Sequence, residues 1–153
     1  MIVNGKLSIT ERLKAYRHPN LPRLSWMEDP SVKGKRRWSW IVCDPWTHRV
    51  DGAVIHVPAG FRTDLASIPR CLWWIPGYAP MELGSEGPIA HDWLYRHGGV
   101  ARSPAGRPRW FNRRQVDLIF RTLMVEAGVG RVRRTVAWLA VRGFGWLCWK
   151  KAG

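Results

Sequence analysis

The chain has 153 residues, enough for one domain with a buried core, and its 46% hydrophobic content excludes a disordered chain. Lys and Arg number 25 against 11 Asp and Glu, a formal charge of +14, which favours anionic partners: a phospholipid surface, an acidic protein face or nucleic acid. Cys43, Cys71 and Cys148 are odd in number and contain no CxxC pair. That argues against a zinc ribbon or a disulfide framework and for buried free thiols in a reducing compartment.

Residues 1–36 read as an irregular N-terminal segment. Ile2-Val3 and Leu7-Ser8-Ile9 are at most strand fragments, and Pro19, Pro22 and Pro30 interrupt any long element. Met1 to Thr10 lacks the basic start and apolar run of a signal peptide, so synthesis in a cytoplasm is expected. Release would then come through lysis or packaging into a particle.

From Trp38 the pattern has period two, with Trp38, Trp40 and Val42 on one face and Ser39, Ile41 and Cys43 on the other. Asp44-Pro45 stops that strand, Asp51-Gly52 marks a turn, and Ala53 to Val57 is the next strand. An antiparallel β-hairpin over 37–57 follows. Its tryptophans are expected in the core rather than on a ligand, as buried aromatic residues usually are.

Residues 58–84 read as a loop region. Gly60 permits a sharp bend, Pro69 blocks helix continuation, and Asp64 and Ser67 sit three apart between them. Either Thr63 or Asp64 caps a helical turn through Ser67, or Asp64 is a functional carboxylate. Trp73 and Trp74 lie in a broken apolar run that would make a hydrophobic rim.

The helical part spans 85–153. Ser85 and Pro88 open a helix over 86–97, which Gly98-Gly99 closes. Helical geometry puts His91, Leu94 and Tyr95 on one face and aims Asp92 about 100° away. Residues 100–109 read as an Arg, Pro and Gly loop. Asn112 with Gln115 three residues on is a variant capping box for a second helix carrying Val116, Ile119, Phe120, Leu123 and Met124, closed by Gly128. Asp117 lies beside that apolar stripe, either as a solvated first-turn acid or as a working one. A third helix begins near Arg131, and Gly143 and Gly145 interrupt its apolar tail. That tail is too short for a membrane span, which takes roughly 20 apolar residues. It is expected to pack on the other helices, with an anionic surface as the alternative. The whole is a single α+β domain with a small antiparallel sheet followed by a two- to three-helix unit.

With the helices at 86–97 and 112–127 antiparallel, Asp117 can face His91. A carboxylate on one imidazole nitrogen fixes the tautomer and leaves the other free to take a proton from water. Asp92, aimed elsewhere, is free to hold a hard cation.

Two resemblances rest on these residues. Pro58-Ala59-Gly60-Phe61, then His91-Asp92-x-x-Tyr95, then Asn112 to Asp117 and Phe120, resembles the order in secretory phospholipase A2 enzymes, especially their bacterial and fungal branch. It covers about a third of the chain. It implies phospholipase-like antiparallel helices, with His91 as general base, Tyr95 and Asp117 as its supports, and Asp92 on calcium. Apart from that resemblance, a hydrolase reading of the residues makes Asp64 a second cation ligand beside Asp92 and puts Ser67, Trp73, Trp74 and Trp93 against substrate. The chain departs from that family where Ile89, Ala90 and Leu94 surround the histidine without cysteines, and no glycine-rich calcium loop is recognisable. Residues 53–145, with GFxTDLASIPR, HDxLY and an aspartate-bearing helix, also resemble a small family of uncharacterised phage and prophage proteins. Three readings stay open: a phage-encoded lipid or ester hydrolase, a virion tail or baseplate protein docked on an acidic partner, and a nucleic-acid binder. No helix-turn-helix, finger or RNA-binding signature supports the third.

Overall fold

In the computed structural model, which describes residues 21–29, 37–63, 65 and 83–150, the period-two stretches do form strands, but their pairing is not sequential. Strands β3 (Trp46–Val50) and β4 (Ala53–Val57) make a hairpin in register from Trp46↔Val57 to Val50↔Ala53. Its turn is Asp51-Gly52, both at positive φ (49° and 66°), the mirror-image geometry that suits the twist of a two-residue hairpin. Trp46, Ala53, Ile55 and Val57 face the core.

Strand β2 (Arg37–Val42) pairs with neither of these. It lies between β1 (Leu24–Asp29) and β5 (Arg62–Thr63), antiparallel to both. The hairpin expected over 37–57 is therefore corrected to Trp46–Val57. A two-residue turn can join only the strands that flank it. Cys43-Asp44-Pro45 instead carries the chain from one sheet into the other.

The expected irregular segment contains β1, because Pro22 and Pro30 bound a strand rather than break one. A strand at the sheet edge tolerates such neighbours. The expected loop at 100–109 contains β6 (Val100–Arg102) and β7 (Pro108–Trp110), each too short to show a period. Strand β6 joins the first hairpin through Val54↔Arg102, giving the order β3-β4-β6-β7 beside the three-stranded β1-β2-β5.

Helix α1 (Glu86–Arg96) starts after Ser85, whose side chain makes no capping bond, and stops at Gly98-Gly99. Gly99 is required there. It has φ of 79°, its N–H donates to Leu94 O at 2.7 Å, and a Cβ on it would overlap the Phe111 carbonyl. Helix α2 (Arg113–Glu126) opens with the expected capping box: Gln115 N donates to Asn112 Oδ1 at 3.0 Å and Asn112 N to Gln115 Oε1 at 2.9 Å. Helix α3 (Arg131–Phe144) continues into a 3-10 turn over Gly145–Leu147.

The contacts set the helix directions. Gly87 faces Phe120 and Leu123, whereas Tyr95, two turns on, reaches back to Asp117, so α1 and α2 run antiparallel. Arg121 lies over the Trp138 ring and Arg113 reaches the carbonyl of Arg142, so α2 and α3 do too. Val42, Ile55, Val57, Ile89, Leu94, Phe111 and Val116 form one core between the sheets and the first two helices. Phe120, Met124, Ala137, Ala140 and Val141 form a second between α2 and α3. The class is α+β, with two small antiparallel sheets and three α-helices among the described residues. The expectation of buried thiols is corrected as well: Cys43 is half-buried and Cys148 exposed, while Cys71 lies outside the described residues.

Candidate functional site

Three helices meet at one carboxylate. Asp117 stands in the second turn of α2 on the stripe facing both neighbours, and no part of it reaches solvent. From α1, His91 Nε2 donates to its Oδ1 at 3.3 Å and the Tyr95 hydroxyl donates to the same oxygen at 2.5 Å. From α3, Arg142 Nη1 donates to Oδ2 at 2.8 Å, and Arg113, one turn before Asp117, holds its guanidinium 3.9 Å from that oxygen. The four-residue spacing of His91 and Tyr95 on a helix is what lets both reach one partner.

Burial alone would raise the Asp117 pKa. The hydrogen bonds from His91, Tyr95 and Arg142 outweigh it and hold the carboxyl below its ordinary value. The Tyr95 phenol is pushed the other way, by burial first and by Asp117 second, so it stays a hydroxyl donor. An ionised carboxylate can only accept. Nε2 of His91 therefore carries the hydrogen, and in the neutral ring the lone pair lies on Nδ1. That Nδ1 is buried and has no hydrogen-bond partner among the described residues. The imidazole is further positioned by the Tyr95 ring at 4.0 Å and the Phe120 ring at 5.0 Å, centroid to centroid.

Gly145 closes the cluster from the far side. Its φ of −61° suits any residue, but a Cβ there would run into the Tyr95 hydroxyl. Gly145→Ala is expected to cost about 1–3 kcal/mol through that overlap. Gly143→Ala, where a Cβ meets nothing within 4 Å, should be neutral or gain up to about 1 kcal/mol from helix propensity. Urea unfolding of both variants checks the pair.

Asp92 points away from this cluster, as expected, and ties α1 to the strand β5. Its Oδ2 accepts the Thr63 hydroxyl, and Arg96 Nη2 stands 3.9 Å from the same oxygen. Arg96 also donates through Nη1 to the Arg62 carbonyl at 2.6 Å. The Thr63 hydroxyl in turn accepts Leu65 N at 3.0 Å, which helps hold Leu65 at a left-handed φ of 54° with its side chain in the core. Thr63→Val, which leaves that N–H and Asp92 without the hydroxyl, is expected to cost about 1–3 kcal/mol in chemical denaturation.

A calcium ion takes about six to eight oxygen ligands. Among the described residues no three His, Cys, Asp or Glu side chains gather to hold a metal, and Asp92 faces a guanidinium. The described donors do not fit a hard cation at Asp92. Asp64, Ser67, Trp73 and Trp74, the other expected ligands and substrate contacts, lie outside the described residues. Trp93 is half-buried between Phe61, edge-on at 5.2 Å, and His97, stacked at 3.7 Å. Those contacts pack it against Phe61 and His97.

His91, Tyr95 and Asp117 are thus brought together as the sequence reading expects. Arg142 and Arg113 were missed. Arg113 carried a signal, since it stands four residues before Asp117 on one helix face; Arg142 carried none.

Residues 40–141 match the model of DUF1353, a family of proteins of unknown function. The chain belongs to that family. The DUF1353 match spans His91, Tyr95, Arg113 and Asp117 and ends one residue before Arg142. No curated protein and no solved structure matches the chain.

Proposed function

We propose that the chain is a hydrolase of esters, with phospholipid as the substrate class, in which His91 activates water. One observation carries the reading: a buried imidazole whose Nε2 is committed to an ionised carboxylate while Nδ1 has no partner among the described residues. Leaving a buried polar atom unpaired costs about 1–3 kcal/mol, and a purely structural side chain would avoid that. In the reaction a water hydroxyl oxygen bonds to the ester carbonyl carbon as its proton passes to His91 Nδ1. The tetrahedral intermediate then expels the alkoxide, which takes the proton back from Nδ1, leaving acid and alcohol. Asp117 offsets the imidazolium charge through Nε2, and Tyr95, Arg142 and Arg113 keep that carboxylate ionised and fixed. No step passes through a cation.

In a second reading the chain is a phage virion protein and the cluster an inter-helix clasp; the donors from His91, Tyr95 and Arg142 on Asp117 support the clasp. Hydrolysis of phosphatidylglycerol vesicles and of a generic soluble ester by the purified chain decides between them. Turnover that disappears in His91→Asn supports the hydrolase. No turnover on either substrate, with and without added divalent ions, leaves the clasp.

A further inference from the structure

Helix α3 has two apolar faces and buries only one. Ala137, Ala140 and Val141 pack on α2, as expected for the C-terminal tail. A second stripe faces solvent: Val132, Val136 and Leu139 along the helix, continued by Trp146 and Leu147 in the 3-10 turn, with Phe144 exposed at the end of the helix beyond its packed face. Leu139, Phe144, Trp146 and Leu147 are each more than half exposed (55–65%), which an isolated surface residue can be but a contiguous run seldom is.

Charge identifies the occupant. Arg131 and Arg133 flank the stripe, Lys150 follows it, and all three are exposed. No acid occurs from residue 127 to the end of the sequence. A second copy laid on this face would set these cations against their equivalents. Nucleic acid would satisfy the arginines and could stack on Phe144 and Trp146 but offers nothing to Val132, Val136 and Leu139. An anionic bilayer satisfies both, with phosphate at the rim and acyl chain beneath, and a tryptophan suits the boundary between them.

We infer that the face of α3 and the following turn, from Val132 to Lys150, docks the protein flat on an anionic lipid surface. Among the described residues no helix is long and apolar enough to cross a membrane. The same segment supplies Arg142 to Asp117 and seats Gly145 against Tyr95, which puts the docked helix in direct contact with the buried cluster. Docking does not depend on hydrolysis and is read without it.

The test is sedimentation of the full chain with vesicles of phosphatidylcholine, with and without phosphatidylglycerol. Binding is expected only with the anionic lipid. Leu139→Ser with Trp146→Ser should weaken it at least about 10-fold, since both lose apolar area that would leave water. Arg131→Glu with Arg133→Glu should do the same and flatten its salt dependence. Met27→Ser, an exposed apolar residue of β1, should bind as the parent does. Thermal unfolding confirms that each variant is folded. No binding to anionic vesicles overturns the inference, and so does equal binding by the Leu139 and Trp146 variant. A lipid-free oligomer that the same variant dissolves gives the face to a second copy instead.

Discussion

His91→Asn is expected to lower ester hydrolysis by about 100- to 10,000-fold, the usual worth of a general base. Asparagine loses the proton acceptor but stops short of the Nε2 position that meets Asp117; His91→Gln, whose amide nitrogen falls near Nε2 and can still donate to Asp117, loses the acceptor and keeps more of the clasp. In His91→Gln, melting temperature should therefore move little compared with turnover. Asp117→Asn should lose less rate than His91→Asn, because it removes the group that orients and charge-compensates the imidazole rather than the imidazole itself. If the cluster is only a clasp, the order inverts: no turnover exists to lose, and Asp117→Asn becomes the more damaging change to stability. Recording rate and melting temperature on the same proteins separates these outcomes.

The cluster was legible to the extent that it obeys helix periodicity. His91 and Tyr95 are four apart, the capping box at Asn112 sets the phase of α2, and that phase puts Asp117 on the apolar stripe. Antiparallel packing of neighbouring helices then brings the two helices face to face. The third helix is expected to pack on the others, and it does, but its second apolar face and the reach of Arg142 depend on how α3 is rotated about its axis. A short helix whose apolar residues spread over more than one face does not fix that rotation.

In the β part, strands were legible and partners were not. Trp38 to Val42 has the same period whether it pairs forward with β3 or backward with β1. Only the Asp51-Gly52 turn carries pairing information, because its two positive-φ residues join their immediate neighbours. The role of Asp92 shows a related limit. The reading that it points away from His91 follows from a single helix, whereas its partner, Thr63, comes from 29 residues upstream. The carboxylate thus holds a strand to a helix, a contact that no local pattern announces.

Asp117→Ala is expected to cost about 3–5 kcal/mol, as when one partner of a buried ion pair is removed. It strips acceptors from the Tyr95 hydroxyl and His91 Nε2, both buried, and leaves Arg142 and Arg113 side by side. The arginines are partly exposed and recover some solvation, which keeps the cost from being larger. For a domain of this size the loss corresponds to about 10 °C in melting temperature. The dependence on pH has a definite sign. The folded-state pKa of Asp117 is depressed, so its contribution is fully present above the ordinary carboxylate value of 3.8 and is lost as pH falls through the lower folded value. The charge-dependent part of the stability gap between the parent and Asp117→Ala should therefore be present at neutral pH and be lost as pH falls below 3.8, so that the gap narrows. Urea unfolding of both proteins across that range checks it. A gap unchanged at low pH would mean that Asp117 stabilises the fold by its shape and not by its charge.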